Sequence, residues 1–516
     1  MYKNSKHTIL FPLILAVGVV LGILLGQFVG RNRAESQIRS LIRRSSMNMT
    51  NKIMQTSMLV EHRFVDSISM DSLAELVIPL MMRELDPHSV YIPAREMQEL
   101  NEPLEGEFDG IGVSFNAATD TVIVLSVIPN GPSAKAGIVA GDRIIEINDT
   151  LVAGVKMPQN DIVKRLRGRR GTEVRLSLKR QNIDDLVDIT VVRDAIPIKS
   201  IEAATMLTDS IGFIRLSQFA RTSYMELQLA LAQLREQGMK KLIFDLRDNS
   251  GGFLDQAILI ANEFLPAGKL IVYTEDRHRE QVKEFSDGTG TATDLALVVL
   301  IDEGSASSSE ILAGAVQDND RGTIVGRRSF GKGLVQSQIP LGDGTAVRLT
   351  VARYHTPSGR VIQRPYERGH ADEYHKAHIE RLRSAGEDSV VLKSKFKTRR
   401  LGRDVYADGG IRPDIVVQSD TTQISDYMVK VVAKGVYNEL MLGYLDRNRD
   451  SLRLSGAYKA KAYNPGEEEN AIITESSHVK SVLRFRTILE GLFQAMGIPN
   501  RVAFECDESR IPRYQR

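Results

Sequence analysis

Residues 302–336 constrain the fold of this 516-residue chain more than any other stretch. An apolar run at 295–301 leads into a small-residue turn, Gly304-Ser305-Ala306, and then Ser307-Ser308-Ser309-Glu310. Ile311, Leu312, Ala315 and Val316 mark one face of a helix, and residues 322–326 fit a short strand. Strand, turn, helix and strand in that order are the unit of an α/β layer. Lys332 then stands between Gly331 and Gly333, with Gln336 four residues on. A serine at a helix N-terminus is placed to act as a nucleophile, because free backbone N–H groups and the helix dipole favour negative charge there. Such a serine needs a base. No histidine lies in the stretch, but Lys332 does.

These residues alone leave two readings open. Ser307 and Glu310 fit the S-x-x-E capping box, so the serine can be explained as a helix cap. A lysine between glycines fits a solvated turn. Phe330, Leu334 and Val335 point instead to a partly buried Lys332. Burial disfavours the ammonium form and brings the amine toward a range where it takes up a proton. The local pattern does not choose among Ser305, Ser307, Ser308 and Ser309.

The length implies three or four folded units. Residues 9–29 carry no charge and are long enough to cross a bilayer, with Lys3, Lys6 and His7 before them and Arg31 and Arg33 after. The run exceeds a usual signal-peptide core and no A-x-A site follows, so residues 1–33 read as a short tail and an uncleaved signal anchor, whose orientation the basic residues at both ends leave open. Residues 34–103 read as helical, with Leu73, Leu76, Val77, Leu80 and Met81 on one face until Asp86-Pro87-His88-Ser89 breaks the helix. In 104–196, short alternating strands at 111–115, 122–127, 143–147, 173–178 and 187–192 are separated by turn signals. Residues 197–418 read as an α/β core. Strands at 211–216 and 241–246 flank a helix at 224–237. Asp245-Leu246-Arg247-Asp248-Asn249-Ser250-Gly251-Gly252 follows, whose glycines either let backbone N–H groups approach a substrate or simply make a turn. A polar insertion at 369–409 holds His370, His375 and His378 at spacings that match no standard metal set, so it reads as a solvated loop. Residues 419–516 are polar and mostly helical, clearest at 431–445 and 479–496. A net charge of +2 gives no basis for a nucleic-acid partner. Cys506 is the single cysteine, which excludes an internal disulfide.

Gly304 to Glu310 and Phe330 to Gln336 resemble the catalytic segment of the C-terminal processing peptidases, the tail-specific serine proteases of family S41 with a Ser-Lys dyad. The resemblance spans about 67–417. It takes in Leu85-Asp86-Pro87-His88-Ser89-Val90-Tyr91, the D-L-R-x-N-x-G-G run, Thr356-Pro357-Ser358-Gly359-Arg360 and Gly410-Ile411-Arg412-Pro413-Asp414. It implies a multi-domain α+β chain, with membrane anchor, helical region, PDZ domain, α/β (ClpP/crotonase-like) protease core and C-terminal helical region. The family's serine-to-lysine offset, here 332 − 307 = 25, makes Ser307 the nucleophile, Lys332 the base and Gln336 its orienting partner. It assigns the oxyanion amides to Gly251 or Gly252 and to Ser308. Gly110-Ile111-Gly112-Val113 resembles a PDZ carboxylate-binding loop, with Ile162 and Leu166 forming the facing wall of the pocket. The implied activity is endopeptidase action on proteins with apolar C-terminal tails, without metal or organic cofactor. The implied place is a bacterial inner membrane, single-pass, with the catalytic part periplasmic; a homo-oligomer is compatible with it. Two other functions compete: a non-catalytic PDZ scaffold, and an acyl-CoA enzyme of the crotonase type.

Overall fold

The computed structural model describes residues 50–117, 121–180, 183–383, 394–407 and 409–417. The expected anchor at 9–29, the helices at 431–445 and 479–496 and Cys506 lie outside the described residues. No described helix is long and apolar enough to cross a membrane. The chain divides into two compact units, one ending at Met82 and one beginning at Arg83.

The first unit holds the helix Thr50–Arg63 and nearly all of Met70–Arg83. The expected apolar stripe is there, but Leu76 and Leu80 are exposed and no residue of the second helix is buried.

The second unit is built on a six-stranded sheet in the order Ile201–Thr208, Ile211–Leu216, Lys241–Asp245, Ala296–Ile301, Thr323–Gly326 and Ile415–Val416. The first pair is antiparallel and the rest run parallel. Parallel strands need crossover helices, and these are supplied by Ser223–Glu236, Leu254–Phe264 and Ser308–Asp318. Leu227, Leu231 and Leu234 of the first helix bury against Ile214, Leu216 and Phe244 in one core, each worth roughly 1.5–3 kcal/mol relative to exposure. Lys241–Asp245 and Ala296–Ile301 are neighbours, with Asp245 opposite Leu300. Loops 246–253 and 302–307 therefore leave adjacent strands at the same, carboxyl, edge, where open α/β sheets place their ligands.

A second sheet joins Val90–Ile92, Ala346–His355, Leu270–Asp276 and Gln281–Phe285, with Leu334–Pro340 also paired to Ala346–His355. It delivers Lys332 just before the strand Leu334–Pro340. The far end of Ser308–Asp318 is pinned by Arg360, whose guanidinium donates to Asp318 Oδ1 at 2.7 Å and to Gln317 Oε1 at 2.6 Å, with Arg360 and Asp318 fully buried. A cation at a helix C-terminus also meets the negative end of the dipole.

Residues between the antiparallel arms Glu107–Gly110 and Asp194–Pro197 form a separate sheet. Its order is Val113–Asn116, Val122–Val127, Arg143–Ile147, Glu173–Lys179 and Val187–Val192, with the helix Gln159–Leu166 beside it. The 369–409 insertion departs from the solvated loop expected of it. Ala371–Arg383 is a helix, and Tyr374 on it is buried.

Candidate active site

Ser307 sits at the N-cap of Ser308–Asp318 with φ +53° and ψ −111°. A non-glycine residue held there carries strain of roughly 1–3 kcal/mol, and such strain collects at functional turns. The capping box is present, with Ser307 N–H donating to Glu310 Oε2 at 2.9 Å. The four serines are not equivalent. Ser305 Oγ donates to Leu246 C=O at 2.8 Å, Ser308 Oγ to Gly252 C=O at 3.0 Å and Ser309 Oγ to Asn249 C=O at 2.8 Å. All three are buried. The Ser307 hydroxyl, half-buried, donates to no acceptor among the described residues. Three serines donate to main-chain carbonyls around the turn, and Ser307 does not.

The glycine loop lies directly against this turn. A Cβ on Gly251, where φ is +102°, would fall 2.9 Å from Ser307 Cβ and 3.0 Å from Ser308 N. One on Gly252 would fall 2.2 Å from Phe219 O. Neither position tolerates a side chain. The two glycines differ, however. Gly251 N–H already donates to Asn249 Oδ1 at 2.9 Å. Gly252 N–H and Ser308 N–H have no acceptor among the described residues. Of the two glycines named from the sequence, Gly252 has the available amide.

Lys332 Nζ donates to Gln336 Oε1 at 2.8 Å. Among the described residues it makes no hydrogen bond to Ser307 Oγ. Burial holds its pKa below the ordinary lysine value and nearby Arg348 lowers it further, against smaller opposing pulls from Glu310 and Asp86. The two backbones are tied to each other twice. The fully buried carboxylate of Glu310 accepts Lys332 N–H at 2.8 Å and Gly331 N–H at 2.7 Å, as well as that of Ser307. It also takes the Ser329 hydroxyl at 2.5 Å. The buried Tyr354 hydroxyl lies between the carbonyls, 3.2 Å from Ser307 O and in short contact with Lys332 O. Glu310 thus holds both N–H groups and Tyr354 both C=O groups.

The family model of peptidase family S41 matches residues 210–369, and that of the PDZ domain matches residues 110–191. A carboxy-terminal-processing protease of Bartonella bacilliformis is 41% identical over 296 residues, which is 56% of this chain and 67% of that one. A probable CtpA-like serine protease of Staphylococcus epidermidis is 33% identical over 367 residues, 70% of this chain and 73% of that one. The chain belongs to the carboxy-terminal-processing serine peptidases of family S41. Among solved structures, the photosystem II D1 C-terminal processing protease aligns with 73% of this chain and 95% of its own at 25% identity, with a TM-score of 0.36.

In this peptidase the PDZ loop runs from Gly110, at the end of one strand, to Val113, at the start of the next. Ile111 C=O and Gly112 C=O are taken by Ser133 N–H and Ile128 N–H, both at 3.0 Å. The N–H groups of Ile111 and Gly112 have no backbone acceptor among the described residues. Val113–Asn116 is an edge strand. Ile162 and Leu166 face inward as expected, but they do not line an open wall. Both are buried in one cluster with Ile111, Ile144 and Leu176.

Several further residues gather at the peptidase's lysine side, and the sequence did not show the contacts they make there. His88 approaches Lys332 through its backbone: Gln336 Nε2 donates to His88 C=O at 2.5 Å. Its imidazole, 3.2 Å from Tyr374 Oη, has its pKa lowered to about 4 by burial and by Lys332. Arg364 lies over the rings of Phe330 and Tyr374, 4.5 and 4.1 Å from their centroids. Arg381, on the insertion helix, donates to Ser329 C=O at 2.7 Å and Arg328 C=O at 3.0 Å. His355 is stacked on Tyr273, with centroids 4.5 Å apart, and Nδ1 contacts Gly359 O.

Proposed function

We propose that this peptidase cleaves its substrates by a Ser-Lys dyad and selects them by their C-terminal tails. Ser307 Oγ attacks the scissile carbonyl carbon while neutral Lys332 Nζ takes the hydroxyl proton. Gly252 N–H and Ser308 N–H stabilise the oxyanion, each worth roughly 3–4 kcal/mol of transition-state energy. The tetrahedral intermediate then expels the amine, which receives the proton from the Lys332 ammonium. The acyl-enzyme on Ser307 is hydrolysed by water through the same base. Gln336 holds Lys332 in place. The observation that carries this reading is that the Ser307 hydroxyl, unlike those of Ser305, Ser308 and Ser309, donates to no acceptor among the described residues, while burial disfavours the charge on Lys332.

A substrate tail adds as a strand to the edge Val113–Asn116, with its carboxylate on the N–H groups of Ile111 and Gly112. Because Ile162 and Leu166 are packed against Ile111, an apolar terminal side chain seats by prising them apart. Residues 9–29 anchor the chain, and the catalytic part faces the periplasm of a bacterial inner membrane.

A fluorophosphonate probe tests the chemistry: wild type labels, Ser307→Ala does not, and labelling of Ser307→Ala would overturn the assignment. One substrate with a free or an amidated C-terminus tests the tail reading. Equal rates on both would remove it. Full-length protein in the soluble fraction would remove the anchor.

A further inference from the structure

Between the two units' boundary and the first strand of the second sheet lies a turn that the mechanism above does not use. Asp86, buried, accepts His88 N–H at 2.8 Å and Ser89 N–H at 2.9 Å on Oδ1 and the Ser89 hydroxyl at 2.6 Å on Oδ2. Ser89 Oγ in turn accepts Thr350 N–H at 3.1 Å. Thr350 is the cross-strand partner of Gln336. Val90–Ile92 then pairs with the same strand, Ala346–His355. The turn is thus fastened next to Gln336 and offers it one group, the His88 carbonyl.

A primary amide has a donor end and an acceptor end. The His88 carbonyl only accepts, so Gln336 must turn Nε2 toward it. Oε1 is then left facing Lys332 Nζ. That choice matters for catalysis. A neutral amine has two N–H bonds and one lone pair. An oxygen facing it takes an N–H and leaves the lone pair for the Ser307 proton. A flipped amide would donate into that lone pair and occupy it.

We propose that Asp86 is a positioning residue for Lys332: it shapes the 86–89 turn so that the His88 carbonyl locks Gln336 in the one orientation that keeps the lysine lone pair free. This rests on the Ser307–Lys332 reading. It gives His88 a main-chain role. The imidazole, held uncharged and against Tyr374, is not required for it.

The test is steady-state kinetics and thermal unfolding on full-length protein with one peptide substrate. Asp86→Ala is expected to lower kcat by roughly 10–100-fold, as loss of an orienting shell does, with KM within about 2-fold. Asp86→Asn should recover most of the rate, because its Oδ1 accepts the same two N–H groups and its Nδ2 donates to Ser89 Oγ. Gln336→Met should cost about as much as Asp86→Ala, and the double variant no more than either alone. Losses that multiply in the double variant, or an Asp86→Asn as slow as Asp86→Ala, would overturn the proposal. If Asp86→Ala does not fold, Ser89→Ala loosens the same turn and completes the same cycle. Ser307→Ala in the same assay separates the two levels. Activity in Ser307→Ala sinks the dyad itself, whereas an inactive Ser307→Ala with multiplying losses sinks only the role of Asp86.

Discussion

The two halves of the proposed catalytic centre are built differently. The serine half is made from two loops at neighbouring strand ends, 246–253 and 302–307, with the first turn of the helix Ser308–Asp318, and is held by backbone conformation and hydroxyl-to-carbonyl hydrogen bonds. The lysine half is gathered from remote parts of the chain: the 86–89 turn, Gln336, Arg348, Arg364 and Tyr374. Its work is to bury an amine and orient its partner. A nucleophile turn needs a precise main chain, and a short contiguous motif supplies one. A lysine that must give up its proton needs burial first and a nearby cation such as Arg348 second, which no contiguous motif supplies. The serine half should therefore fail by loss of geometry and the lysine half by a shift in protonation.

The largest effect should come from Lys332 itself. Lys332→Arg keeps a positive charge that cannot be given up near neutrality, so its rate should fall by about 10⁴-fold or more, as for Ser307→Ala. Lys332→Met should be equally inactive yet unfold at higher temperature. The sign follows from linkage. The native lysine binds its proton less readily than the unfolded one, so its penalty is full below the lowered pKa and fades as pH rises toward the ordinary value. The stability gain of Lys332→Met over wild type should then be larger at pH 7 than at pH 10, measured by thermal unfolding. A gain independent of pH would mean the amine is not the source of the penalty.

Glu310→Gln comes next, because Glu310 belongs to both halves. Glutamine has one acceptor oxygen where the carboxylate serves three N–H groups and a hydroxyl. At least one buried N–H loses its partner, at about 1–3 kcal/mol. We expect kcat to fall roughly 10²-fold together with a lower melting temperature. A normal rate with lowered stability would show that the shared carboxylate is a structural tie only.

How far each half was legible follows the same division. Ser307 and the helix behind it were readable, because Ile311, Leu312, Ala315 and Val316 repeat at helical spacing and the turn is made of small residues. Which serine is the candidate nucleophile was not, since Ser305, Ser308 and Ser309 differ from Ser307 in burial, backbone angle and the direction of their hydroxyls, none of which the sequence displays; the offset to Lys332, known through the family resemblance, made the proposed choice. Glu310 was hidden by its own motif. The S-x-x-E signature accounts for one of its bonds, and the rest come from residues 329–332. Gly251 and Gly252 could not be separated because the difference lies in the Asn249 side chain. Ile162 and Leu166 had the right period, but period gives a direction and not what lies there. The insertion helix left no stripe to read, because Tyr374 is its one fully packed residue.

Arg348 offers a finer probe of the lysine half. After burial, its charge is the main influence lowering the Lys332 pKa, and it donates to Gln338 Oε1 at 3.0 Å. The rate should rise with pH through the lowered Lys332 pKa and then level off. Arg348→Met removes the repulsion, raises that pKa and should move the midpoint to higher pH with the plateau unchanged. A lowered plateau at an unmoved midpoint would make Arg348 a packing residue instead.

The smallest effect is expected where the insertion helix touches this half. Tyr374 Oη lies 3.2 Å from His88 Nε2 and 3.4 Å from Gln363 Nε2, while its ring receives the Arg364 guanidinium. Tyr374→Phe keeps the ring and its cation–π contact and removes only the hydroxyl. The His88 imidazole then loses a partner, but the His88 carbonyl, which alone reaches Gln336, stays where the Asp86 turn puts it. The rate should therefore drop no more than about 3-fold, the scale of one neutral hydrogen bond at the weak end. Tyr374→Ala should cost more, because Arg364 loses one of its two aromatic faces and Phe330, next to Gly331-Lys332, loses the side chain packed beside it. The comparison of kcat for the two variants decides how the helix acts. If Tyr374→Phe is as slow as Tyr374→Ala, the hydroxyl and the His88 ring are part of the lysine's setting, and the lysine half extends one residue further than its carbonyl link. If only Tyr374→Ala is slow, the insertion serves as a wall, keeping water from the amine by packing alone.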